Sequence, residues 1–161
     1  MPTTYRLTDT EHVTILDRDD NALVAEVHYG PAGSAPPAHL HPAQDERFEV
    51  LEGEVTIDLD GRRHTLRAGE TIDVPRRTAH QMWNAHPTAA ARVRWTTTPA
   101  LRTEAWWAAL DRMEGKPTLT SFAPLLREYR DVFRLTAPPQ WIAQPLFAAL
   151  SVGRRPTPMP S

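Results

Sequence analysis

Apolar and polar residues alternate in short runs between residues 12 and 98, and turn-forming residues separate the runs. HVTILD (12–17), ALVAEVHYG (22–30), RFEVLEG (47–53), EVTIDLDG (54–61), RRHTLRAG (62–69), TIDVP (71–75), HQMWNA (80–85) and ARVRWTTT (91–98) are each of strand length. Successive side chains of a strand point to opposite faces, so alternation of this kind buries one face and wets the other. Asp60-Gly61 joins two of the runs and is a hairpin turn signal. Eight strands at roughly ten-residue spacing, with no helical period between them, predict an antiparallel barrel or sandwich.

Near residue 99 the period lengthens toward 3.6. In TEAWWAALDRMEG, Thr103 is placed to cap a helix whose Trp106, Leu110 and Met113 share one face before Gly115 ends it. In SFAPLLREYRDVFRL, the spacing of Phe122, Leu125, Leu126, Tyr129, Val132 and Phe133 predicts a second helix running to the end of that stretch. PQWIAQPLFAALSVG predicts a third, with Trp141, Ile142, Leu146 and Leu150 apolar, Gly153 as its C-cap and Pro145 as an interruption. Aromatic stripes of this kind are more often core than binding surface. With no repeat and no linker in view, the helices are read as an extension of one domain.

A chain of 161 residues, 40% hydrophobic and 24% charged, is large enough for one domain with a core of its own. Its net charge of −2 gives no reason to invoke nucleic acid or an anionic membrane. There is no cysteine, so disulfides, thiolate nucleophiles and cysteine-held zinc are excluded, and any metal must be bound by nitrogen and oxygen. The opening residues MPTTYRLTDT lack a signal-peptide pattern, and no apolar run reaches membrane-helix length, so a cytoplasmic protein is expected.

One stretch concentrates the candidate chemistry. PPAHLHPAQDERFEV (36–50) places His39 and His41 two residues apart, which in a strand puts both imidazoles on one face. Glu46 follows beyond the bend at Pro42, and His80 opens the run HQMWN. Two histidines and a carboxylate suit non-haem Fe(II), and a third histidine widens the choice of metal.

These residues fall in a recognisable pattern. Residues 33–53, GSAPPAHLHPAQDERFEVLEG, resemble the first motif of the cupin superfamily, G-x5-H-x-H-x4-E-x6-G, with Gly33, His39, His41, Glu46 and Gly53 in register. Residues 69–84, GETIDVPRRTAHQMWN, resemble its second motif, G-x5-P-x-G-x2-H-x3-N; Gly69, Pro75, His80 and Asn84 match, and Arg77 stands where the motif has its middle glycine. Nine of ten motif positions agree across a 15-residue spacer, the compact length of small single-domain cupins.

The resemblance implies a mainly β fold, a cupin-type antiparallel jelly-roll barrel over residues 1–99; it does not cover the rest, where the helical period predicts an extension packed on the barrel over 100–155 and the proline-rich end a disordered tail over 156–161. It implies one divalent transition metal per chain (Fe, Mn, Ni, Zn, Co or Cu) held by His39, His41, Glu46 and His80. It also implies an enzyme acting on a small organic substrate chelated to that metal, foremost an O2-dependent dioxygenase-like oxidoreductase with Glu46 moving off the metal as catalytic base. A non-redox isomerase, lyase or cyclase, and a non-catalytic small-molecule-binding cup, are the other readings these motifs allow.

Side-chain parity adds candidates for the substrate pocket: Phe48 with Glu46, and Met82 and Asn84 with His80, while His28 stands beside Glu26 on its own face. Trp83 and Trp95 are expected to pack on the barrel exterior or at a dimer interface. Arg76 and Arg77 read as a solvated basic turn. Open sheet edges are often covered by a second copy, so a homodimer is expected.

Overall fold

The computed structural model describes residues 2–116 and 118–136. All eight predicted runs are strands: β2 (Glu11–Arg18), β3 (Leu23–Tyr29), β5 (Asp45–Glu52), β6 (Glu54–Leu59), β7 (Arg62–Arg67), β8 (Thr71–Val74), β9 (His80–Trp83) and β10 (Ala91–Thr98). Three short strands join them, β1 (Thr4–Arg6), β4 (His39–Leu40) and β11 (Arg134–Leu135). The Asp60-Gly61 turn joins β6 to β7 with positive φ at both residues, 48° and 77°, the geometry that a two-residue hairpin of matching twist requires.

The strands form two antiparallel sheets, in the orders β1-β2-β3-β10-β5-β8 and β11-β4-β9-β6-β7. The chain passes from the first sheet at β5 to the second at β6, returns at β8, crosses at β9 and returns at β10, which is a jelly-roll path. Among the described residues the layers face each other without a ladder joining their edges, so the jelly roll is two facing sheets rather than a closed barrel. Val13, Val27, Val50 and Val93 of one sheet and Val55 and Ile57 of the other fill the space between, each at most 1% exposed. This repeated crossing brings β4 and β9 opposite β5 and β10, and the candidate site lies between them.

Two helices follow, α1 (Thr103–Asp111) and α2 (Leu119–Glu128). Thr103 is the first residue of α1 rather than its cap: Arg102 takes the cap position without a side-chain bond. The Thr103 hydroxyl instead accepts from the buried Gln44 Nε2 at 2.7 Å, and the same nitrogen reaches the carbonyls of Pro99 and Ala100. Gln44 thereby ties the loop between His41 and Glu46 to the start of α1. Trp106 and Trp107 of α1 are both buried; Trp107 lies 4.9 Å from Trp95 and Trp106 lies 4.8 Å from Phe133, ring to ring.

The second predicted helix is cut short. α2 begins at a capping box between Thr118 and Ser121, but ends at Glu128. Arg134 and Leu135 pair with Leu40 and His39 as β11, and the Thr136 N–H donates to the Ala38 carbonyl. The apolar spacing that suggested helix to residue 135 is met by a strand because β4 offers an open edge that local periodicity cannot register. The predicted third helix and the tail beyond it lie outside the described residues.

Arg77 keeps the turn its motif builds with glycine: its φ is +66° and its N–H donates to the His41 carbonyl at 2.8 Å. A side chain with a Cβ is strained there. At Gly53, φ is +75° and an added Cβ would lie 2.5 Å from the Ala90 carbonyl oxygen, so only glycine fits.

Candidate metal centre

His39 on β4 pairs directly with His80 on β9, and Glu46 on β5 pairs with Thr97 on β10. His41 follows β4, fixed from behind by the β11 segment. One ligand atom from each of His39, His41 and His80 can be chosen such that all lie within 4.8 Å of one another. His41, His80 and Glu46 are buried. Glu46 Oε1 is 3.2 Å from His41 Nε2, and Oε2 is 3.0 Å from His80 Nε2. The Trp95 indole N–H donates to Oε1 at 3.0 Å and fixes the carboxylate from the side.

The hydrogen bonds decide what these rings can do. Each Nδ1 faces a backbone carbonyl, Pro37 at 2.9 Å for His39, Val132 at 2.7 Å for His41 and Thr78 at 3.1 Å for His80. A carbonyl can only accept, so each Nδ1 carries the hydrogen and each neutral ring presents an Nε2 lone pair. At His41 and His80 those lone pairs face the Glu46 carboxylate, which also only accepts. Nε2 of His41 is buried without a hydrogen-bond partner. Such a set of acceptors needs a shared cation, either a proton or a metal, and nitrogen and carboxylate donors with oriented Nδ1–H groups suit a divalent transition metal.

The titration directions agree. Burial holds His39 well below the ordinary histidine range, assisted by its two histidine neighbours, and burial lowers His41 against the attraction of Glu46. Burial would lower His80 too, but its hydrogen bond to Glu46 and that group's charge outweigh it and His80 is raised. Burial would raise Glu46; the three histidines outweigh it and bring the carboxyl to about 2.

A cavity of about 180 Å³ opens onto the three histidines. Phe48 and Met82 are among the residues that line it. His28 and Asn84 do not. His28 is exposed because β3 turns Leu23, Ala25, Val27 and Tyr29 inward and the residues between them outward. Asn84 is buried, but its amide donates to the carbonyls of Gly30 and Ala89 and accepts from the His86 N–H, so it clamps loops rather than facing a ligand. Trp95 is not an exterior residue: it lines the cavity and holds Glu46. Trp83 is buried, with the Arg63 guanidinium 5.3 Å above its ring, and does not line the cavity.

Sequence reasoning missed several groups. Glu11 and Tyr29, partners across β2 and β3, line the cavity and are hydrogen-bonded to each other. Burial pushes the Glu11 carboxyl up to about 7 and, with Glu11 beside it, moves Tyr29 well above the ordinary tyrosine range. The signal was present, because Glu11 shares parity with Val13 and Ile15 and so sits on the inward face of its strand. Phe133 stacks on His39 at 4.5 Å, an apolar backing that no motif predicts.

Residues 25–97 match the family described as Cupin_2, cupin domain. Oxidoreductase macE of Penicillium terrestre is 42% identical over 52 residues, which is 32% of this chain and 20% of that protein. The curated relatives are matched over only 20–43% of their own length. Among solved structures, KdgF from Halomonas sp. superposes with a TM-score of 0.57 at 18% identity, covering 63% of this chain and 92% of that one. The nucleoside dehydratase Pac13 superposes with a TM-score of 0.53 at 15% identity, covering 64% and 80%. Residues 25–97 thus match a cupin domain, the solved structures share its fold, and the double motif spans the two facing sheets.

Proposed function

We propose that this chain is a metal-dependent enzyme acting on a small organic substrate, with oxygen-dependent oxidation as the leading reaction. The observation that carries the reading is the convergence of three oriented histidines at the wall of a cavity, two of them with Nε2 against the buried Glu46 carboxylate. His39, His41, His80 and Glu46 would hold one divalent transition metal. Such an ion, when bound, supplies Lewis acidity and, for a redox metal, electron transfer to dioxygen.

The chain's own residues then have separable tasks. The carbonyls of Pro37, Val132 and Thr78 fix the imidazole tautomers, and Trp95 fixes the carboxylate. That clamp and the low carboxyl pKa make Glu46 a better ligand than base, because a general base works best near the ambient pH. The aromatic wall excludes water from the reacting group. Glu11, with Tyr29 against it, is the titratable group of the cavity whose affinity for a proton suits transfer at neutral pH. That pair favours a second reading, a non-redox isomerase, lyase or cyclase driven by proton transfer.

Metal analysis of the purified protein, beside a His39→Ala/His41→Ala variant, tests the core of the proposal: about one metal per chain is expected, and its loss in the variant. Metal content unchanged in the folded variant would show the ligand set to be wrong. Oxygen uptake by the iron-loaded protein across catechols, diketones, flavonols and thiols then separates the two readings. Metal-dependent turnover without oxygen uptake would support the non-redox one. No turnover under any metal would reduce the protein to a binding cup.

A further inference from the structure

The walls of the cavity restrict what it can hold. Trp95, Trp106, Trp107, Phe48, Phe133 and Tyr29 line it, and among the described residues no lysine or arginine does. The arginines nearest the motif are already engaged: Arg76 is paired with Asp45, and Arg77 directs its Nε to the Pro42 carbonyl at 3.4 Å. Among the described residues, an anion carried on the body of a ligand would meet no lysine or arginine and, on the β2 side, the Glu11 carboxyl. Burying an unpaired charge in such surroundings is heavily disfavoured.

Size is equally restrictive. An apolar cavity of about 150 Å³ accepts a benzene, so 180 Å³ takes one six-membered ring with a short substituent. The polar groups on the wall are few, and away from the histidines the Glu11–Tyr29 pair is built from two strands in register. Glu11 and Tyr29 face the cavity side by side and offer a carboxyl and a phenol to a ligand hydroxyl.

We infer that the cavity binds an uncharged, single-ring aromatic molecule bearing a hydroxyl, its ring against the tryptophan wall and its hydroxyl on the Glu11–Tyr29 pair. This narrows the substrate class and rests on the reading of the cavity as the substrate chamber of the metal centre. The near-neutral proton affinity of Glu11 supports it, because a carboxyl that keeps its proton adds little charge to the chamber.

Isothermal titration of the EDTA-treated protein with phenol and with benzoate tests the inference; removing metal keeps carboxylate–metal bonding out of the comparison. Phenol is expected to bind, and benzoate to bind at least about tenfold more weakly. Leu110→Trp on α1 fills the cavity and is expected to abolish phenol binding while leaving metal uptake intact. Should that variant not melt cooperatively, Glu11→Gln serves instead, with phenol affinity falling several-fold. Benzoate binding as tightly as phenol, no heat from either, or phenol binding that survives these variants would overturn the inference. Metal content is measured on the same preparations before EDTA treatment. Phenol binding in a protein that takes no metal fails the proposed function alone, and full metal uptake without phenol binding fails this inference alone.

Discussion

Replacing Glu46 by glutamine separates a carboxylate that serves a metal from one that serves a buried ion pair. In the metal-free protein the carboxylate faces His41 Nε2 at 3.2 Å and His80 Nε2 at 3.0 Å while accepting from Trp95. Glutamine keeps an oxygen for the Trp95 indole and turns an N–H₂ toward one imidazole lone pair. The metal-free variant is therefore expected to match or exceed the wild type in stability, to within about 1 kcal/mol. Metal binding is expected to suffer, because an anionic ligand is lost. With a weakening of about 100-fold, at free metal about 1,000 times the wild-type Kd, the stabilisation from binding falls from about 4.1 to about 1.4 kcal/mol. For a domain of this size that is a loss of roughly 5–10 °C from the metal-induced rise in Tm. Calorimetry with and without EDTA, on samples of known metal content, reads both effects. A metal-induced rise equal to that of the wild type would refute the ligand role of Glu46. A metal-free variant destabilised by more than about 3 kcal/mol would show the carboxylate to be half of a buried ion pair with protonated His80 instead.

Four further outcomes are expected. Arg77→Gly removes left-handed strain at φ +66° and should stabilise the fold by about 0.5–1 kcal/mol in urea titrations, whereas Arg77→Val should destabilise it. Gly53→Ala should cost more than about 3 kcal/mol, because its Cβ would meet the Ala90 carbonyl, while Gly61→Ala, at a similar φ with nothing within 4 Å, should cost only about 1 kcal/mol by the same measurement. Phe133→Ala empties the space between His39 and Trp106 and should cost about 3–4 kcal/mol in unfolding free energy, with weaker metal retention under dialysis. Glu11 binds its proton more tightly folded than unfolded, with a pKa raised from 4.5 to about 7, so the folded state takes up more protons across that window. Stability should fall by up to about 3 kcal/mol as pH rises from 4.5 to 7. Glu11→Gln should remove that fall relative to wild type, as read by parallel pH-resolved melts.

Much of this molecule is legible along the chain because strand alternation and ligand spacing are local. The eight runs, the Asp60-Gly61 turn and the same-face pair His39 and His41 follow from a period of two and from turn chemistry, which act over a few residues. The middle-glycine position of the second motif is also local: Arg77 departs from the motif in sequence yet keeps its positive φ, held by the His41 carbonyl. Glu11 could have been found by parity, since an inward carboxylate among valines and isoleucines is the same signal that marked Phe48 and Met82.

Only the tertiary structure decided what surrounds the four candidate ligands. Val132 supplies a carbonyl to His41 across 91 residues of chain, Trp95 reaches Glu46 across 49, and both depend on which strand edges meet. The end of the second predicted helix became β11 for the same reason: pairing to β4 satisfies backbone groups that no local pattern of apolar residues can anticipate. Expected pocket residues His28 and Asn84 failed because the strand and loop that carry them aim the side chains elsewhere. The candidate ligands are legible in short-range spacing, whereas the anchoring of His41, the seat of the carboxylate and the shape of the cavity are set by contacts distant in sequence.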